Sequence, residues 1–228
     1  MDVTTAAFWA ALGSIILANV VLSGDNAVVI AMAARALPVH QQKKAIVWGS
    51  AAAIVMRIAL TLVAVEMLKW PYLKIVGAVL LLYIGIALLR DDEGGERPHQ
   101  AIGGLVAAVR TILVADLVMS LDNVLAVAAA ANGNTPLLII GLAVSIPLIV
   151  FGSTLLLTVM DRFPIIITLG AALLGFLAGE MLCTDPALVA RFGLLPDALV
   201  NAAGVAGAAI IVGAGHWLQR RARTNAVA

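Results

Sequence analysis

Long runs of apolar residues are separated by short polar stretches along the whole chain. Seven runs lie at about residues 8–34, 45–68, 72–90, 104–131, 137–159, 164–182 and 198–218. Each is near the length of about 20 residues that an α-helix needs to cross the hydrocarbon of a bilayer. The runs are continuously apolar rather than alternating, which disfavours a transmembrane β-barrel. The pattern therefore predicts an all-α polytopic membrane protein with seven transmembrane helices.

A short polar segment occurs twice, once in the first run and once in the fourth. Residues 22–28 read LSGDNAV and residues 119–125 read MSLDNVL, at an offset of 97 positions. Weaker similarity continues downstream, where residues 77–81 match residues 170–174. Because three crossings precede the second copy, that copy enters the membrane from the opposite face. We expect a 3+3 inverted repeat with a seventh helix, and a site near mid-bilayer where the repeats meet.

The hydrophilic stretches set the expected boundaries and orientation. Repeat 1 spans residues 1–90, a cytoplasmic linker 91–103 and repeat 2 104–183. An outer loop, the seventh helix and a basic cytoplasmic tail span 184–228. Of the 14 Lys and Arg residues, ten fall on one side of the predicted membrane, three fall on the other, and Arg57 lies inside the second run. The positive-inside rule predicts a multi-pass protein of the inner (cytoplasmic) membrane, with its N-terminus outside and its C-terminus cytoplasmic.

Composition supports this class. Hydrophobic residues make up 63% of the chain, charged residues 12%, and the mean hydropathy is +1.08. Soluble domains are about 45–50% apolar and about 25% charged, so the lipid bilayer is the expected environment. The net charge of +1 argues against a nucleic-acid partner, which would require clustered Lys and Arg.

The polar side chains of the first copy do not all share one face of an ideal helix. At about 100° per residue, Asn19, Ser23 and Asn26 form one stripe, and Asp25 lies about 100° away from it. Either Asp25 faces a different neighbour, or the helix loosens near Ser23 and Gly24, which we favour because Gly and Ser allow such breaks.

The second copy repeats the pattern, with Asp116, Ser120 and Asn123 on the stripe and Asp122 away from it. The same choice applies there, and we favour a distortion near Ser120. Any carbonyl groups freed by either break would add oxygen ligands.

An ionisable side chain inside a membrane span indicates a functional site by default. The candidate metal-binding residues are Asp25, Asn26, Asp122, Asn123, Asp116, Asn19, Ser23 and Ser120. Carboxylate, carboxamide and hydroxyl oxygens suit Mg²⁺, Ca²⁺ or Mn²⁺. Two facing carboxylates repel unless a cation or a proton lies between them, and this competition would couple cation movement to proton movement. The alternative is that these groups only hold the helices together by hydrogen bonds.

Three further charges are candidates for coupling or gating: Arg57, Glu66 and Glu180. Arg57 lies in the middle of the second run and needs a partner, for which Asp25, Asp122 and Glu66 are candidates. A static ion pair is the competing interpretation for Arg57. Glu66 and Glu180 lie near the outer ends of their runs, where solvated rim positions compete with a role in an exit path.

The doubled motif resembles the TerC family of integral membrane proteins, most closely its short YjbE-type members. The residues that carry the resemblance are 23–26 with 28–30, and 120–124. The resemblance implies a seven-helix topology and export of Mn²⁺ from the cytoplasm. It assigns metal handling to Asp25, Asn26, Asp122 and Asn123. Many longer members carry a glutamate where this chain has Asn19, so the implied site holds a different charge.

The resulting hypothesis is a secondary transporter for a divalent cation, not an enzyme. It has no tightly bound cofactor, and Mn²⁺ is its substrate, with Ca²⁺ or Mg²⁺ as alternatives. One competing function is a membrane accessory protein that loads metal onto secreted enzymes. Another is an intramembrane aspartyl hydrolase, although neither Asp25 nor Asp122 has the expected Gly-rich surroundings. Small residues in the last run, among them residues 204–208, allow close helix packing within the chain or in a homodimer.

Overall fold

The computed structural model of the protein describes residues 5–67, 70–90, 104–130 and 135–227, and it describes the backbone alone for residues 6–7, 62, 64–66, 122–130, 135 and 222–227. This part of the chain is helical and contains no strand. Its nine helices are α1 (Ala6–Leu22), α2 (Gly24–Arg35), α3 (Val39–Met67), α4 (Leu73–Arg90), α5 (Gly104–Ala130), α6 (Thr135–Arg162), α7 (Ile165–Cys183), α8 (Pro186–Phe192) and α9 (Asp197–Val227).

The helices confirm a polytopic membrane architecture. Among the described residues, α3, α4, α5, α6, α7 and α9 are each long and apolar enough to cross a bilayer. The bent pair α1 and α2 makes a seventh span if it is counted as one. Large apolar side chains, among them Tyr83 and Phe151, are exposed on these helices, as contact with lipid rather than water requires.

The first span is broken at Ser23. Helices α1 and α2 meet there at an angle of 51°, and Ser23 has φ −112° and ψ 8°. The distortion expected near Ser23 and Gly24 is therefore confirmed. The same expectation is wrong for the second copy, because α5 continues as one helix through Ser120. Leu121 stands there in place of Gly24, and leucine favours a helix by nearly 1 kcal/mol over glycine.

The helix contacts pair the two halves in a regular way. The first span packs on α6, and its counterpart α5 packs on α3, which is the counterpart of α6. Helix α3 also contacts α6, and α4 contacts α7, so each of these meets its own counterpart. If each helix is replaced by its counterpart in the other half, the same set of helix contacts results. This pairing supports the inverted repeat, whose orientation and boundaries stay predictions.

Helix α9 packs closely on α7 through small residues. A methyl group on Gly179 would lie 2.1 Å from the carbonyl oxygen of Ala203, and one on Gly207 would lie 2.1 Å from that of Gly175. The two backbones are thus in direct contact, as small residues at helix interfaces allow. The small residues of α9 have a partner inside the chain, and a homodimer stays a prediction.

A buried carboxylate joins the start of α4 to the start of α8. Asp185 is 0% exposed and accepts a hydrogen bond from the backbone N–H of Ala187 at 2.8 Å, as an N-cap of α8 does. It also accepts from the N–H groups of Tyr72 at 3.0 Å, Lys74 at 3.1 Å and Ile75 at 3.3 Å. The first N–H groups of an α-helix are not used by its own hydrogen-bond ladder, and Asp185 accepts from N–H groups at the start of α4. Neither α8 nor this contact was predicted from the sequence, although Asp185 followed by Pro186 is a typical helix-start signal.

Two further polar contacts connect helix ends on the predicted cytoplasmic side. Arg35, at the end of α2, pairs with Asp161 near the end of α6 at 2.9 Å. The amide of Gln219 on α9 donates to the backbone carbonyl of Leu89 on α4 at 2.6 Å. At this end of the bundle, α2 is therefore bonded to α6 and α9 is bonded to α4.

Candidate functional site

A buried arginine lies between the two copies of the motif. Arg57, on α3, is 2% exposed. Its Nε donates to Ser120 Oγ at 3.0 Å, its Nη1 donates to Asn19 Oδ1 at 2.7 Å and to Ser23 Oγ, and its Nη2 donates to Asp116 Oδ1. We call these five residues the Arg57 cluster. One guanidinium thus holds four side-chain oxygens on two different spans.

Each copy contributes the same two positions to the Arg57 cluster. Asn19 corresponds to Asp116 and Ser23 to Ser120, both at the offset of 97. Within each copy the serine hydroxyl donates to the side chain four residues earlier. Ser23 donates to Asn19 Oδ1 at 3.3 Å, and Ser120 donates to Asp116 Oδ2 at 3.2 Å. For these four residues the predicted polar stripe is confirmed.

The ion pair of Arg57 is formed with Asp116. The sequence favours Asp25, Asp122 or Glu66 as the partner, and the structure shows Asp116 in that place. The physical reason is that Asp116 shares the stripe of Ser120, which faces α3. Both charged side chains are almost completely buried, at 2% and 4% exposure. Removing one member of such a pair costs about 3–5 kcal/mol, because the other charge is left buried without compensation.

Asp25 lies next to the break rather than in the Arg57 cluster. It is half-buried in the first turn of α2. Its Oδ1 accepts a hydrogen bond from the backbone N–H of Asn26 at 2.8 Å. A carboxylate is favoured there because the N-terminus of a helix carries partial positive charge. Asp25 therefore lies off the stripe, as the helical angles predict, and its carboxylate is next to the break.

Asn26 is the least satisfied polar side chain of the first copy. It is 3% exposed, and neither its amide oxygen nor its amide nitrogen has a hydrogen-bond partner among the described atoms. The amide nitrogen of Asn19 is in the same condition. A buried polar group without a partner costs about 1–3 kcal/mol. The polar region thus retains hydrogen-bonding capacity that the described side chains do not use.

Four predicted site residues remain to be placed. The side chains of Asp122, Asn123 and Glu66 lie outside the described residues, and only their helical backbone in α5 and α3 is described. Glu180 is half-buried in the last turn of α7, where its backbone carbonyl accepts from the N–H of Thr184 at 3.1 Å. Its location agrees with the predicted place near the end of a span.

The chemistry available at the site is that of oxygen. The part of the chain that the structure describes has no group of three or more His, Cys, Asp or Glu side chains able to hold a metal ion. A cation in this region would depend on carboxamide and hydroxyl oxygens together with Asp25 and Asp116. Such ligands fit a hard divalent ion better than a soft one.

Comparison with known proteins identifies the family. The family model described as "Integral membrane protein TerC family" matches residues 4–223. The match covers both copies of the motif and all the described helices that form the Arg57 cluster.

Two relatives from Bacillus subtilis (strain 168) match most of the chain. The "Uncharacterized membrane protein YjbE" is 45% identical over 170 residues, which are 75% of this chain and 78% of that protein. The "Uncharacterized membrane protein YceF" is 28% identical over 185 residues, which are 76% of this chain and 70% of that protein. No solved structure matches the chain.

Proposed function

The chain belongs to the TerC family of integral membrane proteins, and we propose that it is a secondary transporter that exports a divalent metal cation from the cytoplasm. A multi-pass membrane protein of this family is consistent with a membrane transporter. The observation that carries the proposal is the Arg57 cluster, in which side-chain oxygens of both copies meet at one buried point. Intramembrane polar groups of this kind are costly and belong to transport paths more often than to lipid-facing surfaces.

The broken first span supports this proposal. Transporters built from repeats bind their substrates near mid-bilayer, on helices interrupted at the site. Here the interruption lies at Ser23, whose hydroxyl oxygen is one of the four that accept hydrogen bonds from Arg57. Asp25 follows two residues after Ser23 and places a carboxylate in the first turn of α2, next to the break.

We propose that the transported ion is held between the two copies by oxygens of the eight candidate residues: Asp25, Asn26, Asp122 and Asn123 together with Asn19, Ser23, Asp116 and Ser120. The oxygen donor set supports a hard divalent cation. The preference for Mn²⁺ over Ca²⁺ and Mg²⁺ rests on the family resemblance. In this proposal the metal is a substrate and not a cofactor.

The proposal includes an orientation and a membrane. Arg35 and Asp161, at the ends of α2 and α6, would face the cytoplasm of a cell bounded by the inner membrane. The excess of Lys and Arg on that side supports this orientation. The N-terminus would then lie outside and the C-terminus inside.

Flux through proteoliposomes tests the function. We expect the purified full chain to carry radioactive Mn²⁺ across the vesicle membrane well above the rate of protein-free vesicles. Asp25→Asn should lower this flux by at least about tenfold, the equivalent of about 1.4 kcal/mol. Asp161→Asn, the same chemical change at an exposed carboxylate, should leave it unchanged. A hydrolase or an accessory protein gives no flux. If vesicles that contain the protein transport none of Mn²⁺, Ca²⁺ and Mg²⁺, the transporter proposal is refuted.

Proton coupling is a separable part of the proposal. If the site exchanges a cation for protons, an imposed pH gradient should drive Mn²⁺ against its own gradient. Mn²⁺ flux that does not change with the imposed pH gradient would refute proton coupling and would not affect the transporter proposal.

A further inference from the structure

We infer that Arg57 is a tethered cation that occupies the transport site when no metal is bound, and that a divalent ion must displace its guanidinium in order to bind. This inference rests on the proposed function.

The first observation is the position of the guanidinium. It lies within hydrogen-bond distance of an amide oxygen, two hydroxyl oxygens and a carboxylate oxygen. These are the oxygen types that a hard divalent ion uses. A positive group thus already fills the one place where the described oxygens of both copies meet.

The second observation is that there is one arginine for two copies. At offsets of 93 to 97, the residues of α6 that correspond to Arg57 are residues 150–154, which read VFGST and carry no charge. Each copy nevertheless supplies the same two positions to Arg57. A single side chain therefore fills a place shared by both repeats, as a single bound ion would.

The third observation is unused hydrogen-bonding capacity in the first copy. The amide oxygen of Asn26 is buried and accepts no hydrogen bond from the described groups, and the amide nitrogen of Asn19, whose oxygen binds Arg57, has no described partner. A buried oxygen without a donor can serve as a ligand for a cation. The first copy thus holds polar capacity that the guanidinium of Arg57 does not use.

Charge makes the two cations competitors. Arg57 neutralises Asp116, so the charge of Asp116 is not available to a doubly positive ion while the pair is intact. With Arg57 withdrawn, the site gains one net negative charge, whatever Asp122, whose side chain lies outside the described residues, contributes. In a medium of low dielectric constant, a guanidinium and a divalent ion at contact distance repel strongly. Return of Arg57 would in turn help to expel the ion.

Binding measurements on the purified full chain test the inference. We expect Arg57→Gln to bind Mn²⁺ more tightly than the wild type, by about 5- to 150-fold, the usual range for coupled ligands, and to show lower flux because release is slowed. Arg57→Lys keeps the competing charge and should bind with nearly wild-type affinity. Arg35→Gln, which removes a positive charge at the end of α2, is the matched control and should change neither quantity.

Chemical rescue separates competition from a merely structural role. Added methylguanidinium should weaken Mn²⁺ binding to Arg57→Ala in a concentration-dependent way and leave the wild type unaffected. If neither variant folds, phenylglyoxal labelling of the wild type gives the answer. Saturating Mn²⁺ should raise the labelling of Arg57 and leave that of Arg162, an exposed arginine at the end of α6, unchanged.

The outcomes distinguish the two proposals. Folded Arg57→Gln that binds Mn²⁺ no more tightly than the wild type, or labelling of Arg57 that Mn²⁺ does not change, overturns the tethered cation while wild-type flux stands. A wild type without binding or flux of any divalent ion overturns the proposed function itself.

Discussion

The two copies of the motif are alike in sequence and different in shape and charge. The first copy contains a 51° break, whereas the second lies in the continuous helix α5. The first offers a neutral amide, Asn19, where the second offers the carboxylate of Asp116. One copy therefore compensates the charge of Arg57, and the other supplies neutral oxygens and a break.

This difference separates two tasks within one duplicated element. The carboxylate of Asp116 in the second copy is held in a buried ion pair that joins α5 to α3. The carboxylate of Asp25 in the first copy lies outside that pair, next to the break. If transport depends on this division, changes to Asp116 should act mainly on stability and changes to Asp25 mainly on flux.

The largest expected effect comes from the ion pair. Asp116→Ala leaves the guanidinium of Arg57 buried without a counter-charge, so the free energy of unfolding should fall by about 3–5 kcal/mol. Asn19→Ala, its counterpart in the first copy, removes only a neutral acceptor of a charged donor and should cost about 1.5–3 kcal/mol. Thermal unfolding in detergent measures both.

The control for this pair is Asp161→Ala, which breaks an ion pair whose carboxylate is 57% exposed. Exposed pairs contribute about 0–1 kcal/mol, so its effect should be the smallest of the three. Equal losses for Asp116→Ala and Asn19→Ala would show that the copies do not differ in the way proposed.

The two serines sharpen the comparison from the other direction. Ser23 and Ser120 each accept a hydrogen bond from Arg57, so Ser23→Ala and Ser120→Ala should each cost about 1.5–3 kcal/mol of stability. The two losses should be similar, because the guanidinium is shared between the copies. A large loss of stability for one variant and none for the other would show that Arg57 is held by only one of the two copies.

The sequence predicted these features to different degrees. Helical periodicity was enough to place Asn19 with Ser23 and Asp116 with Ser120, and the Ser-Gly pair was enough to locate the break. The pairing of Arg57 with Asp116 was not predictable from local pattern, because it depends on how α3 packs against α5. The N-cap of α8 lay in a short loop between apolar runs, where span length gives no information.

A smaller effect is expected at the break itself. A methyl group on Gly24 would meet nothing within 4 Å, so Gly24→Ala should be accommodated and should raise stability by no more than about 1 kcal/mol through helix propensity. It should also stiffen the break and lower Mn²⁺ flux. Gly13→Ala is the matched control in α1, since that position is equally open.

Both alanine variants should gain stability in thermal unfolding, and only Gly24→Ala should lose flux. Equal flux in the two would mean that bending at Ser23 has no part in transport. The first copy would then act in transport without the break, as the continuous helix of the second copy does.

The smallest expected change in stability is at Asn26, where the change in flux should be large. Its buried amide has no described partner, so replacement by the similarly sized leucine removes an unsatisfied polar group and should leave stability nearly unchanged or slightly higher. Ser50→Ala removes a different buried polar group without a described partner, a hydroxyl. It should also leave the free energy of unfolding nearly unchanged, and it should leave Mn²⁺ flux intact. If Asn26→Leu transports Mn²⁺ at the wild-type rate, the amide is not a ligand, and the proposed ion site loses one of its residues.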